Sequence, residues 1–317
     1  LQTPKMLDFT QLNGKIEDFS IKGPNVYTFI EKLSFKDHRG LVVENITSDF
    51  TYTKKNILLD GLSMKTPESE MKGRVELKYD RKDFSDFINK VVFDVQFDKA
   101  SIASNDLNYF YNEFGKNNVF YVDTHLIGTL NNFTTHNLKL VDKNQSEIVG
   151  TINFQNLFGK GDQAFYMKGN FDRLTSSYDR LKAILPRILG KNLSSTLDKL
   201  GTVNMIGGVE LTQKYINADV YLMSKLGELE SNLSMQNIDV IDNALYKGNL
   251  ILNDFDLGTL LGQQEIGRAT VNLDVDGRGF TQKLLNTAIK GEIRKFYYNG
   301  YNYQNITVDG SMKMPYY

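Results

Sequence analysis

The sequence predicts a mainly β fold, built from antiparallel strands that each carry one apolar and one polar face. Three observations support this. Apolar residues recur with a period of two along most of the chain. Tyr (17) and Phe (20) are plentiful while proline occurs only five times. Glycine and asparagine punctuate the alternating runs where turns are needed. Successive strand side chains point to opposite faces, so such segments suit a sheet wetted on one side rather than a buried parallel sheet.

Taken in chain order, Val75, Leu77 and Tyr79 alternate with Arg74, Glu76 and Lys78. Val91, Phe93, Val95 and Phe97 follow, mostly against Asp94, Gln96 and Asp98. Ile216, Ala218, Val220 and Leu222 repeat the pattern, as do Leu229, Leu233 and Met235. Ala269, Val271, Leu273 and Val275 then alternate with Thr270, Asn272, Asp274 and Asp276. Helical spacing is the exception. Leu174, Tyr178, Leu181 and Leu185 predict one helix, which Pro186 ends or kinks for want of an amide donor. Leu193, Leu197 and Leu200 predict a second, giving a helical insertion over residues 173–200 that lies against a sheet. "SNDLNYFYNEF" predicts another helix, capped by Ser104 or Asn105.

"GLSMKTPESEMKGRVEL" (61–77) and "NLKLVDKNQSEIVGTINF" (137–154) match turn for turn, and "YLMSKLGELESNLSM" (221–235) is a looser third copy. No Pro-rich or Ser-rich linker divides the chain, so residues 1–317 read as one elongated body. The beginning "LQTPKM" and the ending "KMPYY" suggest a segment of a larger protein.

Lys plus Arg (37) nearly balance Asp plus Glu (38), so no strong field gathers nucleic acid. Cysteine is absent, which removes disulfides, thiolate metal sites and cysteine nucleophiles. In "NLDVDGRGF" (272–280), Asp274 and Asp276 resemble the start of a calcium loop, but no acid follows at the required spacing. Both fall on the polar parity of a strand and read as strand surface. His125 and His136 are spaced to meet across a hairpin without a third metal ligand at a diagnostic position. They read as inter-strand or surface histidines. "FYYNGYNYQN" (296–305) contains a hairpin signal, so its tyrosines read as cross-strand pairs flanking a turn rather than a base-stacking platform. No phosphate loop or Gly-x-Ser-x-Gly elbow occurs, and the expectation is a protein that is not an enzyme and holds no cofactor or metal.

What remains is geometry: many strands each present an apolar face that a second sheet, a helix or a non-protein ligand must cover. A curled trough open to acyl chains and a closed sandwich are both compatible with the alternation. A resemblance separates them. The stretch "GNLILNDFDLGTLLGQQEIGRATVNLDVDGRGFTQKLLNTAIKGEIRKFYYNGYNYQNITVDGSM" (248–312), with "FDLGTLLG", "IGRATVNLDVDGRGF", "LNTAIKGEI" and "YNGYNYQNITVDGSM" in order, resembles the AsmA/TamB-like envelope proteins, the Bacteroidetes TamB type in particular.

That resemblance implies an elongated, curled antiparallel β-groove of the taco type, located in the periplasm of a Gram-negative envelope. The implied role is carriage of phospholipid acyl chains between inner and outer membranes. The implied alternative is assistance to outer-membrane protein assembly by strand-edge pairing. Implied partners are phospholipid, an outer-membrane barrel of the Omp85 type, and the inner membrane through an anchor outside this segment. The expected lining is the apolar parity of the best strands: Val75, Leu77, Val91, Phe93, Val95, Val220, Leu222, Leu233, Val271, Leu273 and Val275.

Overall fold

The computed structural model describes residues 8–110, 112, 114–157, 165–186, 195–238, 243–279 and 286–313. The fold is mainly β, and the strands pair antiparallel, as the alternation predicts. The chain divides into two compact units, Leu1–Leu157 with Lys182–Gly190, and Phe158–Leu181 with Lys191–Tyr317. Nothing in the composition marks that division, which is why the sequence reads as one body.

Unit 1 is a meander of nine strands: β1 (Phe9–Lys22), β2 (Asn25–Asp37), β3 (Val42–Tyr52), β4 (Asn56–Lys65), β5 (Glu70–Lys78), β6 (Val92–Ala103), β7 (Val119–Gly128), β8 (Phe133–Asp142) and β9 (Glu147–Gln155). Each pairs with the next in sequence. Between β5 and β6 lie a 3₁₀ turn (Arg81–Asp86) and the one-turn helix α1 (Phe87–Lys90); α2 (Ser104–Phe110) follows β6. Unit 2 continues with β10 (Tyr166–Ser177), β11 (Thr202–Thr212), β12 (Tyr215–Ser224), β13 (Gly227–Gln236), β14 (Leu245–Asp256), β15 (Ile266–Arg278), β16 (Asn286–Tyr298) and β17 (Tyr301–Lys313), again paired in order. The three sequence repeats are the hairpins β4–β5, β8–β9 and β12–β13.

The expected helical insertion is shorter than its sequence pattern. Residues 173–177 belong to β10, and Leu174 sits opposite Met205 of β11. The helix, α3, is confined to Tyr178–Ile184 and ends before Pro186. A spacing of four, as from Leu174 to Tyr178, satisfies a strand as well as a helix, and pairing to β11 decides for the strand. Ser195–Leu200 forms a 3₁₀ turn, and residues 187–194, including Leu193, lie outside the described residues. In α2, Ser104 is the first helical residue rather than the cap. Its hydroxyl oxygen accepts the Asn118 amide at 3.0 Å.

Bulges keep the apolar residues in phase. Phe9 and Leu12, Ile16 and Phe19, Leu59 and Leu62, Phe97 and Ala100, and Leu252 and Phe255 are spaced by three, which breaks a strict alternation. At each place the pairing register slips. Gln11, Asp18, Gly61, Lys99 and Asp254 there adopt positive φ. One extra residue returns the next apolar side chain to the same face. Asn137, between Thr135 and Leu138 of β8, repeats the device.

Candidate functional site

In unit 2 the register brings the apolar parity of every strand onto one face, in rows that cross the sheet. One row runs Val209, Ala218, Leu233, Gly248, Val275, Ile289 and Gly310. The next contains Val220, Ser231, Leu250 and Leu273. A third contains Leu222, Leu229, Leu252, Val271 and Ile293. Of the expected lining residues, Val220, Leu222, Leu233, Val271, Leu273 and Val275 therefore share a face.

Coverage differs from row to row. Leu200 of the 3₁₀ turn joins Leu226, Leu252, Phe255, Ala269 and Val271 in a buried cluster. Leu257 and Leu260 of helix α4 (Leu257–Leu261) pack onto it. Phe255 is 0% exposed and Val271 7%. Val271 is thus a core residue at the covered end of the face, and an aspartate there would disrupt packing before it tested any lining. Helix α4 is held at both ends. Asp256 accepts the Thr259 amide (2.9 Å) and hydroxyl (2.7 Å), Gly262 closes the helix in the left-handed conformation, and Lys199 Nζ donates to the Leu260 carbonyl at 2.9 Å. Two rows beyond Val220, Leu211, Tyr246 and Thr287 are buried again, and the Tyr246 hydroxyl bonds Thr287 and the Gly279 carbonyl. Between these covered margins, Val209, Ala218, Leu233, Gly248, Val275 and Ile289 all stay half-exposed.

Gly248 is required for that row. Its φ is +149°, and a Cβ would lie 1.9 Å from the Asn232 carbonyl oxygen. Gly73 of β5 repeats the arrangement in unit 1, with φ +150° and the Gln96 carbonyl oxygen at 1.9 Å.

In unit 1 the expected residues also pair across strands, Val75 with Val95 and Leu77 with Phe93. Val75 packs on a buried cluster of Leu41, Val43, Ile46 and Leu62. Val95 is buried, and Val91 is 0% exposed. Val91 also precedes β6 instead of lying in it; its amide closes α1 by donating to the Phe87 carbonyl at 3.2 Å. Val91 is a buried residue at a helix end.

The opposite faces carry the charges. In unit 1, Arg74 lies 2.5 Å from Glu76, Lys78 2.9 Å from Asp94, and His125 Nε2 2.8 Å from Asp94 Oδ1. Hydrogen bonds from His125 and Lys78 hold the Asp94 carboxyl below the usual carboxylate range against its partial burial. Burial pushes Glu76 upward, but the Arg74 guanidinium, Lys78 and Asn56 outweigh it and leave that carboxyl low as well. His125 and His136 do meet across β7 and β8, with ring centroids 6.2 Å apart. Asp94 is not legible as the partner of His125 from local patterning, because β6 and β7 are joined through α2.

In unit 2, Asp274 and Asp276 lie on the exposed polar face of β15. Asn249 donates to Asp274 at 2.9 Å, and Lys247 lies 2.8 Å from Asp276. A shallow hollow of about 570 Å³ is lined by these four residues with Asn232, Lys290 and Asp309, and also by Gly248, Val275, Ile289 and Gly310 of the half-exposed row. Its charges are already paired, since Lys290 lies 3.2 Å from Asp309. Among the described residues no group of three His, Cys, Asp or Glu side chains is placed to hold a metal ion. No helix among them is long and apolar enough to cross a membrane. Tyr298 and Tyr301 pair across the Asn299–Gly300 turn, whose φ values of 49° and 81° match a two-residue hairpin turn.

A scan against protein-family models, a search of curated proteins and a search of solved structures each found no match.

Proposed function

We propose that this chain is a non-enzymatic segment of a periplasmic lipid bridge, whose apolar faces carry phospholipid acyl chains between the inner and outer membranes. The observation that supports it is the half-exposed row Val209–Ala218–Leu233–Gly248–Val275–Ile289, which crosses six strands with no charged side chain. At about 4.8 Å per strand, its five steps span on the order of 24 Å. Each methylene buried on such a surface contributes about 0.8 kcal/mol, so a long acyl chain gains enough to offset most of the cost of leaving a bilayer. The resemblance to AsmA/TamB-like proteins points the same way, and with it come a periplasmic location, an inner-membrane anchor and an Omp85-type barrel partner. Native mass spectrometry of the extracted protein tests the proposal. Co-purified phospholipid supports it; a chain consistently free of lipid, from membranes that contain it, argues against it.

A further inference from the structure

We propose that the end of unit 1 that carries Phe84 docks onto an anionic lipid surface. The inference does not draw on the half-exposed row of unit 2. Because the strands of unit 1 form an antiparallel meander, alternate connections fall at the same end. Residues 53–55 join β3 to β4, 79–91 join β5 to β6, and 129–132 join β7 to β8. Hydrogen bonds tie these connections together. The Tyr79 amide donates to the Lys55 carbonyl at 2.9 Å, and the Tyr79 hydroxyl donates to the Thr53 carbonyl at 3.1 Å. The Asn131 amide donates to the Ile88 carbonyl at 3.1 Å, and its side-chain amide donates to Asn89 Oδ1 at 2.9 Å. The three connections form one platform.

Five bases, Lys54, Lys55, Arg81, Lys82 and Lys90, stand in these connections against three acids, Asp80, Asp83 and Asp86. The acids serve the turn itself. Asp83 accepts the Asp80 amide at 2.7 Å, Asp86 accepts the Asn89 side-chain amide at 2.7 Å, and Asp80 lies 3.7 Å from Lys55. Lys54, Arg81, Lys82 and Lys90 are exposed and form no ion pair among the described residues. An apolar tip stands beside each connection: Phe84 is 44% exposed, Tyr52 40% and Leu130 37%. Phe84 is braced from below, edge-on to the buried Tyr79 with ring centroids 4.6 Å apart, and stacked on Phe87 at 6.2 Å. A lipid headgroup layer suits this arrangement. Its phosphates attract Lys and Arg, and each ring or aliphatic tip enters the interface separately. A protein partner needs the tips merged into one contiguous apolar patch. Here bases flank them instead, Lys54 two residues after Tyr52 and Lys82 two residues before Phe84.

The test measures co-sedimentation of the whole chain with phosphatidylcholine vesicles containing one third phosphatidylglycerol, and with phosphatidylcholine vesicles alone. The anionic vesicles should bind wild type at least tenfold better, and raised salt should weaken that binding. Lys54→Glu with Lys82→Glu should cut it at least tenfold. Lys116→Glu with Lys143→Glu, the same charge change at the opposite end of unit 1, should leave it within about twofold. The chain has no tryptophan, so Phe84→Trp supplies a single indole whose emission should shift to the blue on anionic vesicles. Circular dichroism confirms that each variant is folded. Absent binding, equal binding to the two vesicle types, equal losses from the two charge reversals, or an unshifted emission would overturn the docking and leave acyl-chain carriage standing. Binding to a duplex oligonucleotide at least as tight as to the anionic vesicles would also overturn it, in favour of a nucleic-acid partner.

Discussion

Unit 1 and unit 2 present the same alternation and differ in how its half-exposed members line up. In unit 1, Val91 and Val95 are buried while Val75, Leu77 and Phe93 stay half-exposed, Val75 packing on the Leu41–Val43–Ile46–Leu62 cluster. In unit 2, Val220 and Val271 are buried while Leu222, Leu233, Leu273 and Val275 stay half-exposed, and Leu233 and Val275 belong to a half-exposed row that crosses six strands. Alternation assigns a side chain to a face; short insertions between strands decide whether that face is filled. In unit 2, α4 with Leu200 does that filling. The apolar lane is what these insertions leave uncovered.

The sharpest way to break that contrast is to remove the filling. Phe255→Ala should destabilise unit 2 by about 3–5 kcal/mol, because a fully buried ring leaves a cavity that the cluster cannot close. Leu233→Ala, in the half-exposed row, should cost clearly less in the same urea titration. Equal losses would mean that the row is packed as tightly as the cluster. Gly248→Ala comes next, at roughly 1–3 kcal/mol or more, since it combines a positive φ with contact against the Asn232 carbonyl. Gly310→Ala, with open space around the site, should be nearly neutral and serves as its control.

These expectations also show how much the sequence could tell. Period-two patterning placed Val220, Leu222, Leu233, Leu273 and Val275 on one face, and "NG" located the β16–β17 turn, because both signals are local. Spacings of three, such as Ile16 to Phe19, look like noise until the extra residue Asp18 is seen in the left-handed region. A polar or glycine residue just before the second apolar position is the signal to look for. The limits of α3 were ambiguous because a spacing of four fits both periods. Burial of Val271 is not legible, since it depends on Leu257, Leu260 and Leu200 of α4 and the 3₁₀ turn packing over strands from elsewhere in the sequence. The Asp94–His125 pair was hidden for the same reason.

The polar side of unit 1 offers the smallest effect. Asp94 and Glu76 have carboxyls held below their ordinary range, so the stability they contribute is present above that range and lost as pH falls through the lowered values. Thermal melts from pH 7 to pH 3 should show wild type losing more stability across the acidic end than Asp94→Asn. Parallel curves would mean that the network contributes nothing net.

Cross-linking at neighbouring positions of β15 tests the apolar lane most directly. A photoreactive amino acid at Val275 faces the lane, whereas one at Asp274 faces the opposite side of the same strand. In cells, the residue at 275 should capture phospholipid and the one at 274 should not. Capture at both positions alike, or at 274 alone, would contradict acyl-chain carriage on this face.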